Sequence, residues 1–185
     1  MPVIFLQQNI YNAVYQENAP KAECDSYLII RGSSNINQFQ FISYQPETIN
    51  SENLRKNKTY RNVKIPVNSF TGSNKRIIKD FNKMLNAEEY PFIKIAIERR
   101  EFAKCVGKKG LTNFKTEITV AGNSNFYKVP CAVYACQKTG YIIEGNLDAR
   151  LTDFEIDPPK KFFGLVKVND EINIQYVFWF PPENI

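Results

Sequence analysis

The 185-residue chain contains no histidine. That absence removes the commonest general base, the commonest metal ligand and every Ser-His or Cys-His nucleophile pair. Cysteine is sparse, with Cys24, Cys105, Cys131 and Cys136 and no CxxC pair, so a structural zinc site has no ligand set. Four thiols permit two disulfides in an oxidising compartment, and equally permit buried free thiols. Cys131 and Cys136 have odd spacing, which puts them on opposite faces of one unbroken strand and forbids a bond between those two. No apolar run approaches the ~20 residues of a membrane-spanning helix. The opening MPVIFLQQNIYN lacks a charged region, a long apolar run and a small-residue cleavage site, so it does not read as a signal peptide. The net charge is +5, but Lys and Arg are spread along the chain and no basic-aromatic motif gathers them. Nucleic acid is not expected as a partner.

What is present is β-forming. Hydrophobic residues make up 43% of the chain and aromatics 14%, enough for one domain with a substantial core. Residues 26–44 form a long β segment in which Leu28 and Ile30 have one parity and Phe39 and Phe41 the other. The phase change within 32–37 predicts a bulge or tight bend. Val63, Ile65 and Val67 alternate with polar residues, as do Ile93, Ile95 and Ile97. Residues 112–121 and 126–137 flank Gly122-Asn123-Ser124-Asn125, a hairpin with a four- or five-residue loop. Over 141–154 one face carries Ile143, Gly145, Leu147, Ala149 and Leu151, and small residues between large ones suit a barrel interior with free volume. A turn at Asn169-Asp170 precedes Ile172, Ile174, Tyr176, Phe178 and Phe180, all of one parity. Residues 3–16 can supply a first strand or edge, 45–57 read as a polar loop, and 181–185 as a tail. Asn57-Lys58-Thr59 matches a glycosylation acceptor pattern at the level of chance.

One stretch has a helical period. In 71–91, Ile77, Ile78, Phe81, Met84 and Leu85 make a single apolar stripe, with Lys75, Lys79 and Lys83 opposite. Thr71, Ser73 or Asn74 can cap its start, Asn86 suits a left-handed cap at its end, and Pro91 blocks continuation. The pattern predicts an all-β fold, an antiparallel lipocalin-like barrel of about eight strands, with one short α-helix over about 74–86 packed at one end. Its inward faces are apolar. Periodicity alone does not separate a filled core from a ligand cavity.

Several of these passages carry a resemblance. SYLIIRGSSNINQFQF, KIPVNSFTGSNKRIIKDFNKMLNAEEYPFIKIAI, LTNFKTEITVAG, GNLDARLTDFEIDPP and GLVKVNDEINIQYVF occur in the order of the YceI-like family. The helix block is the most specific, with Lys79-Asp80-Phe81, Met84-Leu85 and Tyr90-Pro91. EITVAG at 117–122 resembles the family's LTIKG strand, and Leu151-Thr152-Asp153-Phe154 its R-x-DFG strand, with Leu in place of Arg and Glu155 in place of Gly. The SSNIN and DPP features resemble a Bacteroidetes-type branch.

The resemblance implies one domain over 1–185, with 1–25 an N-terminal segment, that binds or carries an isoprenoid-like long-chain lipid in the barrel without catalysis or cofactor. The residues expected to line the apolar interior are Phe39, Phe41, Val63, Ile65, Val67, Ile77, Phe81, Met84, Leu85, Ile93, Ile95, Ile97, Ile143, Leu147, Leu151, Ile172, Ile174 and Tyr176. Arg31, Lys64 and Arg150 are the candidates for a phosphate headgroup. Asp80, Asp153 and Glu155 read as solvated or capping carboxylates. The resemblance implies periplasmic or other export, with a cytoplasmic location instead if Met1 is the native start, and it is compatible with a homodimer. The alternative is a scaffold with a filled barrel that acts through surface loops and the basic helix face.

Overall fold

The computed structural model describes residues 24–49, 60–98, 105, 108, 110–136, 140–161 and 165–181. The segment 3–16, the Asn57-Lys58-Thr59 tripeptide, most of 45–57 and the tail after 181 lie outside them. The described chain is a single antiparallel sheet curled about one core, with one α-helix.

The strands are β1 (Tyr27–Ser34), β2 (Gln38–Ser43), β3 (Glu47–Ile49), β4 (Tyr60–Pro66), β5 (Phe92–Glu98), β6 (Thr112–Val120), β7 (Asn123–Ala135), β8 (Tyr141–Arg150), β9 (Lys160–Lys161) and β10 (Val166–Phe180). Their order across the sheet is β2-β1-β10-β8-β7-β6-β5-β4-β3, with β9 paired to β10 alone. The middle is thus a meander, and the last strand brings the first one beside it, Tyr27 opposite Val177 and Arg31 opposite Asn173. Among the described residues no ladder joins the edge strands β2 and β3. The passage after β4 covers that seam: Thr71 bridges Ile42, and Ser43 Oγ lies 2.6 Å from Ser69 Oγ.

The apolar alternation read in β4, β5, β8 and β10 faces the core in each case: Val63, Ile65, Ile93, Ile95, Ile97, Ile143 and Tyr176 are all nearly inaccessible. Four local expectations change. The bend in 26–44 is a complete reversal, a hairpin that sets Ser33 opposite Gln38. The 122–125 loop contracts to the two residues Ala121 and Gly122, because both have positive φ (48° and 84°) and make the turn that matches strand twist. No break occurs at Asn169-Asp170. There β10 continues as strand but bulges against β1, with the register shifting between Gly32 opposite Ile172 and Ser34 opposite Val168, while Asn169 donates to Ser33 Oγ and Asp170 accepts from the Thr152 amide at 3.0 Å. Finally, Leu151–Phe154 is a short 3-10 turn rather than strand, although Leu151 and Phe154 remain buried. Its Arg150 amide donates to Asp153 Oδ2 at 3.0 Å, and Tyr127 donates to the same oxygen at 2.9 Å. Asp153 is therefore a capping carboxylate.

The helix α1 spans Lys75–Met84. Asn74 caps it by accepting from the Ile77 amide at 3.0 Å, and Asn86 takes the left-handed conformation beyond its end. Phe81 drives its placement, stacking on Phe41 at 4.1 Å between ring centroids and meeting Phe70 at 5.3 Å. These contacts seat the helix across one end of the curled sheet.

Candidate functional site

Beneath the helix the core opens into an apolar cavity of about 340 Å³. Helix α1 supplies Ile77, Phe81, Met84 and Leu85 at its roof. The walls come from Leu28 and Ile30 of β1, Phe39 and Phe41 of β2, Ile93 and Ile95 of β5, Ile118 and Val120 of β6, and Val166, Val168, Ile172 and Ile174 of β10. Leu151, Phe154 and Ile156 from the turn after β8 complete it. The polar lining groups, Ser34, Asn37, Asn74, Arg76 and Asp80, belong to the β1–β2 turn and the first turns of α1. They mark the mouth.

Eleven of the eighteen expected residues line this space: Phe39, Phe41, Ile77, Phe81, Met84, Leu85, Ile93, Ile95, Leu151, Ile172 and Ile174. The other seven, Val63, Ile65, Val67, Ile97, Ile143, Leu147 and Tyr176, are buried but do not line it. Three of them pair directly with wall residues, Ile65 with Ile93, Val63 with Ile95 and Leu147 with Ile174, and around Tyr176 the interior is filled. Two rungs of β10 beyond the cavity wall at Ile174, Tyr176 and Phe178 stack with centroids 4.9 Å apart, both fully buried. Tyr176 occupies the room left by Gly145: a Cβ there would stand 2.6 Å from the tyrosine oxygen. The small residue at 145 is thus a berth for an aromatic ring rather than free volume.

The filled part of the interior is polar at one point. Tyr176 Oη and Cys131 Sγ are 3.2 Å apart, and Cys131 donates to the Val129 carbonyl at 3.4 Å. Thr116, fully buried beside them, donates to the Phe114 carbonyl. Burial is the main cause that pushes the Cys131 thiol up to about 12 and lifts the Tyr176 phenol well above its ordinary value. Both groups stay protonated at neutral pH. They are neutral hydrogen-bonding groups in a dry site.

The three cations expected at a headgroup are elsewhere. Arg31 lies on the outer side of β1, donating to Gln40, Asn173 and Gln175 at 3.0 to 3.3 Å. Lys64 pairs with Glu47 at 3.0 Å, and Arg150 is exposed beyond the cavity. Of the three carboxylates considered, Asp80 alone lines the cavity, four residues from Arg76 on the same helix. Sequence reading missed Arg76, although its position one turn before Asp80 on the helix could have been noticed. It also missed Leu28, Ile30, Ile118 and Val120, whose alternation was visible in the same strands. Ile36, an isolated apolar residue in a polar turn, carried no signal.

The cysteines divide. Cys24 and Cys136 form a disulfide with Cα atoms 5.9 Å apart, joining the chain before β1 to the end of β7. Cys105 and Cys131 are buried free thiols.

No curated protein matches this chain in sequence. Among solved structures, it is similar to a polyisoprenoid-binding domain from Saccharophagus degradans implicated in plant cell wall breakdown, with TM-score 0.66 and 11% identity over 85% of this chain and 94% of that one. BcnA of Burkholderia cenocepacia follows with TM-score 0.57, 16% identity and coverage of 82% and 94%. The YCEI protein of Campylobacter jejuni gives TM-score 0.52, 13% identity and coverage of 80% and 83%. At such identities the likeness is one of fold, and it agrees with the lipocalin-like barrel expected from the strand pattern. The sequence itself goes further: residues 29–180 match the model of the YceI-like domain, and the protein belongs to that family.

Proposed function

We propose that the protein is a binding or carrier protein for an isoprenoid-like lipid, and that it holds the terminal part of the tail in the helix-covered half of the barrel. The observation that carries this is the cavity itself, about 340 Å³ walled by aliphatic and aromatic side chains with its polar groups confined to the mouth. Such a lining favours branched hydrocarbon, each buried methylene contributing roughly 0.8 kcal/mol. The volume is near the low end of ligand sites, ~300–1,000 Å³, and beyond the wall at Ile174 the interior is filled, first by the Tyr176 ring. A long tail would enter end-on as far as that ring and leave its remainder and head at the mouth. The binding function of the Saccharophagus degradans domain, whose fold this chain shares, supports the same reading.

No catalytic step is proposed. Asp80 is the one carboxylate among the lining residues, and it is assigned no acid–base role. Export is part of the proposal and is supported by the Cys24–Cys136 disulfide, since such bonds persist in oxidising compartments.

The test is native purification, extraction with organic solvent and mass spectrometry of the extract. A prenyl lipid at near-stoichiometric amount is expected, absent from Ile174→Phe, which narrows the cavity. Tyr176→Ala should shift the captured population toward longer tails. An extract without lipid from wild-type protein, or an unchanged extract from Ile174→Phe, overturns the reading.

A further inference from the structure

The cavity mouth carries two apolar side chains that the core does not need. Ile36, at the tip of the β1–β2 turn, lines the cavity yet is 60% exposed, and Leu165, just before β10, is 74% exposed. Their loops are tied into one platform. The Asn35 side chain donates to the Leu165 carbonyl at 2.8 Å, the Asn35 amide donates to the Lys167 carbonyl at 3.1 Å, and the Lys167 amide donates to Asn35 Oδ1 at 2.9 Å. The two loops that carry these exposed aliphatic residues are thereby held together at the opening. Other exposed apolar residues are placed differently: Phe126 lies under the Lys115 ammonium at 4.8 Å and Tyr44 meets Tyr27 at 6.4 Å.

Charge around this platform is mostly of one sign. Lys160 and Lys167 face each other across β9 and β10, and Lys75 and Arg76 open the helix at the same mouth, all four exposed. Against them stand Asp80 in the lining and the exposed Asp157 before Pro158. An apolar tip ringed by cations suits one surface above others: aliphatic side chains enter the acyl boundary while ammonium and guanidinium groups meet anionic headgroups.

We infer that the mouth, through Ile36 and Leu165 backed by Lys160, Lys167, Lys75 and Arg76, is a docking surface for an anionic phospholipid bilayer. It goes beyond the carrier reading and shares with it only the position of the opening. Docked in this way, the cavity opens onto the bilayer, and a tail passes between membrane and barrel without crossing water.

The test is co-sedimentation with vesicles of phosphatidylcholine alone and of phosphatidylcholine mixed with phosphatidylglycerol. Wild-type protein should bind the anionic vesicles, more weakly as salt rises. The double variant Ile36→Asp/Leu165→Asp should lose about tenfold or more in partitioning. Lys160→Glu/Lys167→Glu should lose most of the salt-sensitive part. Leu111→Asp, an exposed apolar change away from the mouth, should bind as wild type does, and circular dichroism should show all variants folded. Ile174→Phe keeps vesicle binding while losing cargo, so failure of docking and failure of the carrier reading are separate results. Wild-type protein that ignores anionic vesicles, or binds them equally after Ile36→Asp/Leu165→Asp, overturns the inference. Binding of the mouth to a protein partner in place of vesicles would overturn it too.

Discussion

The two halves of the barrel interior are built by the same strands and differ in what those strands carry. Along β10, Ile172 and Ile174 wall the cavity, while Tyr176 and Phe178, two and four residues on, fill the other half. β8 shows the complement: Gly145 sits opposite Tyr176 and yields its volume to the ring. Strand pairing therefore sets where a side chain points, and side-chain volume sets whether the space becomes core or cavity. A close-packed interior forfeits contacts at any void, so the filled half is the stable one and the open half is the one available to a ligand.

Substitutions that sharpen this contrast can be ranked by expected effect. Phe178→Ala should cost about 3–5 kcal/mol in denaturant-melt stability, because a fully buried aromatic leaves a void that its neighbours cannot fill. Ile172→Ala, at the partly open mouth, should cost roughly 1 kcal/mol in the same assay. Equal losses at the two positions would show that the halves are packed alike. Next comes the covalent tie: Cys24→Ser, or reduction of wild-type protein, should cost ~2–5 kcal/mol, given the 112-residue separation it closes. Comparing melts with and without reductant reads this directly.

Gly145→Ala should destabilise by ~1–3 kcal/mol through collision with Tyr176, and the double change with Tyr176→Phe should recover part of it, since the nearest atoms include the hydroxyl. A double variant no better than the single one would place the strain elsewhere. The last effect, which develops only at alkaline pH, comes from the polar pair in the filled part of the interior. A cysteine in the unfolded chain ionises near ~8.5, whereas folded Cys131 holds its proton to about 12. Between those values the unfolded state binds fewer protons, so stability is constant below ~8.5 and falls as pH rises through the interval. Tyr176, also raised by burial, adds to the fall above ~10. Cys131→Ala should flatten the first part of that decline in denaturation midpoints measured from neutral to alkaline pH.

How far the fold could be read ahead follows from the same distinction. Strict alternation in 63–67, 93–97, 143–149 and 172–180 placed those side chains inward, because a sheet with one buried face leaves little choice of register. The helix was legible through its stripe and its Asn74 cap. The turn at Ala121-Gly122 was not, because alanine at φ 48° carries none of the usual signal and Asn123-Ser124-Asn125 looks more turn-like than it is. Asn169-Asp170 misled for the reverse reason: two turn-forming residues sit in a continuous strand, where side-chain hydrogen bonds to β1 and the Leu151–Phe154 turn hold them. For the site, strand parity gave direction but no depth. Ile174 and Tyr176 have the same parity and opposite roles, and only the ring seated over Gly145 in three dimensions tells them apart.

The pairing of β1 with β10 has a consequence for how the chain assembles. Every neighbour from β3 through β8 is joined to the next in sequence and can form as the chain is extended, but the seat for β1 does not exist until the last strand is laid down. Tyr27 meets Val177 only after nearly the whole chain between them is in place, and contacts of such separation come slowly. The β1–β2 hairpin, which carries Ile36 and half of the cavity mouth, is therefore expected to dock late. Until it does, the apolar interior stays open along one side. The cavity is thus completed by the final event of folding, and any factor that delays the synthesis or release of β10 also delays the moment at which the cavity is enclosed.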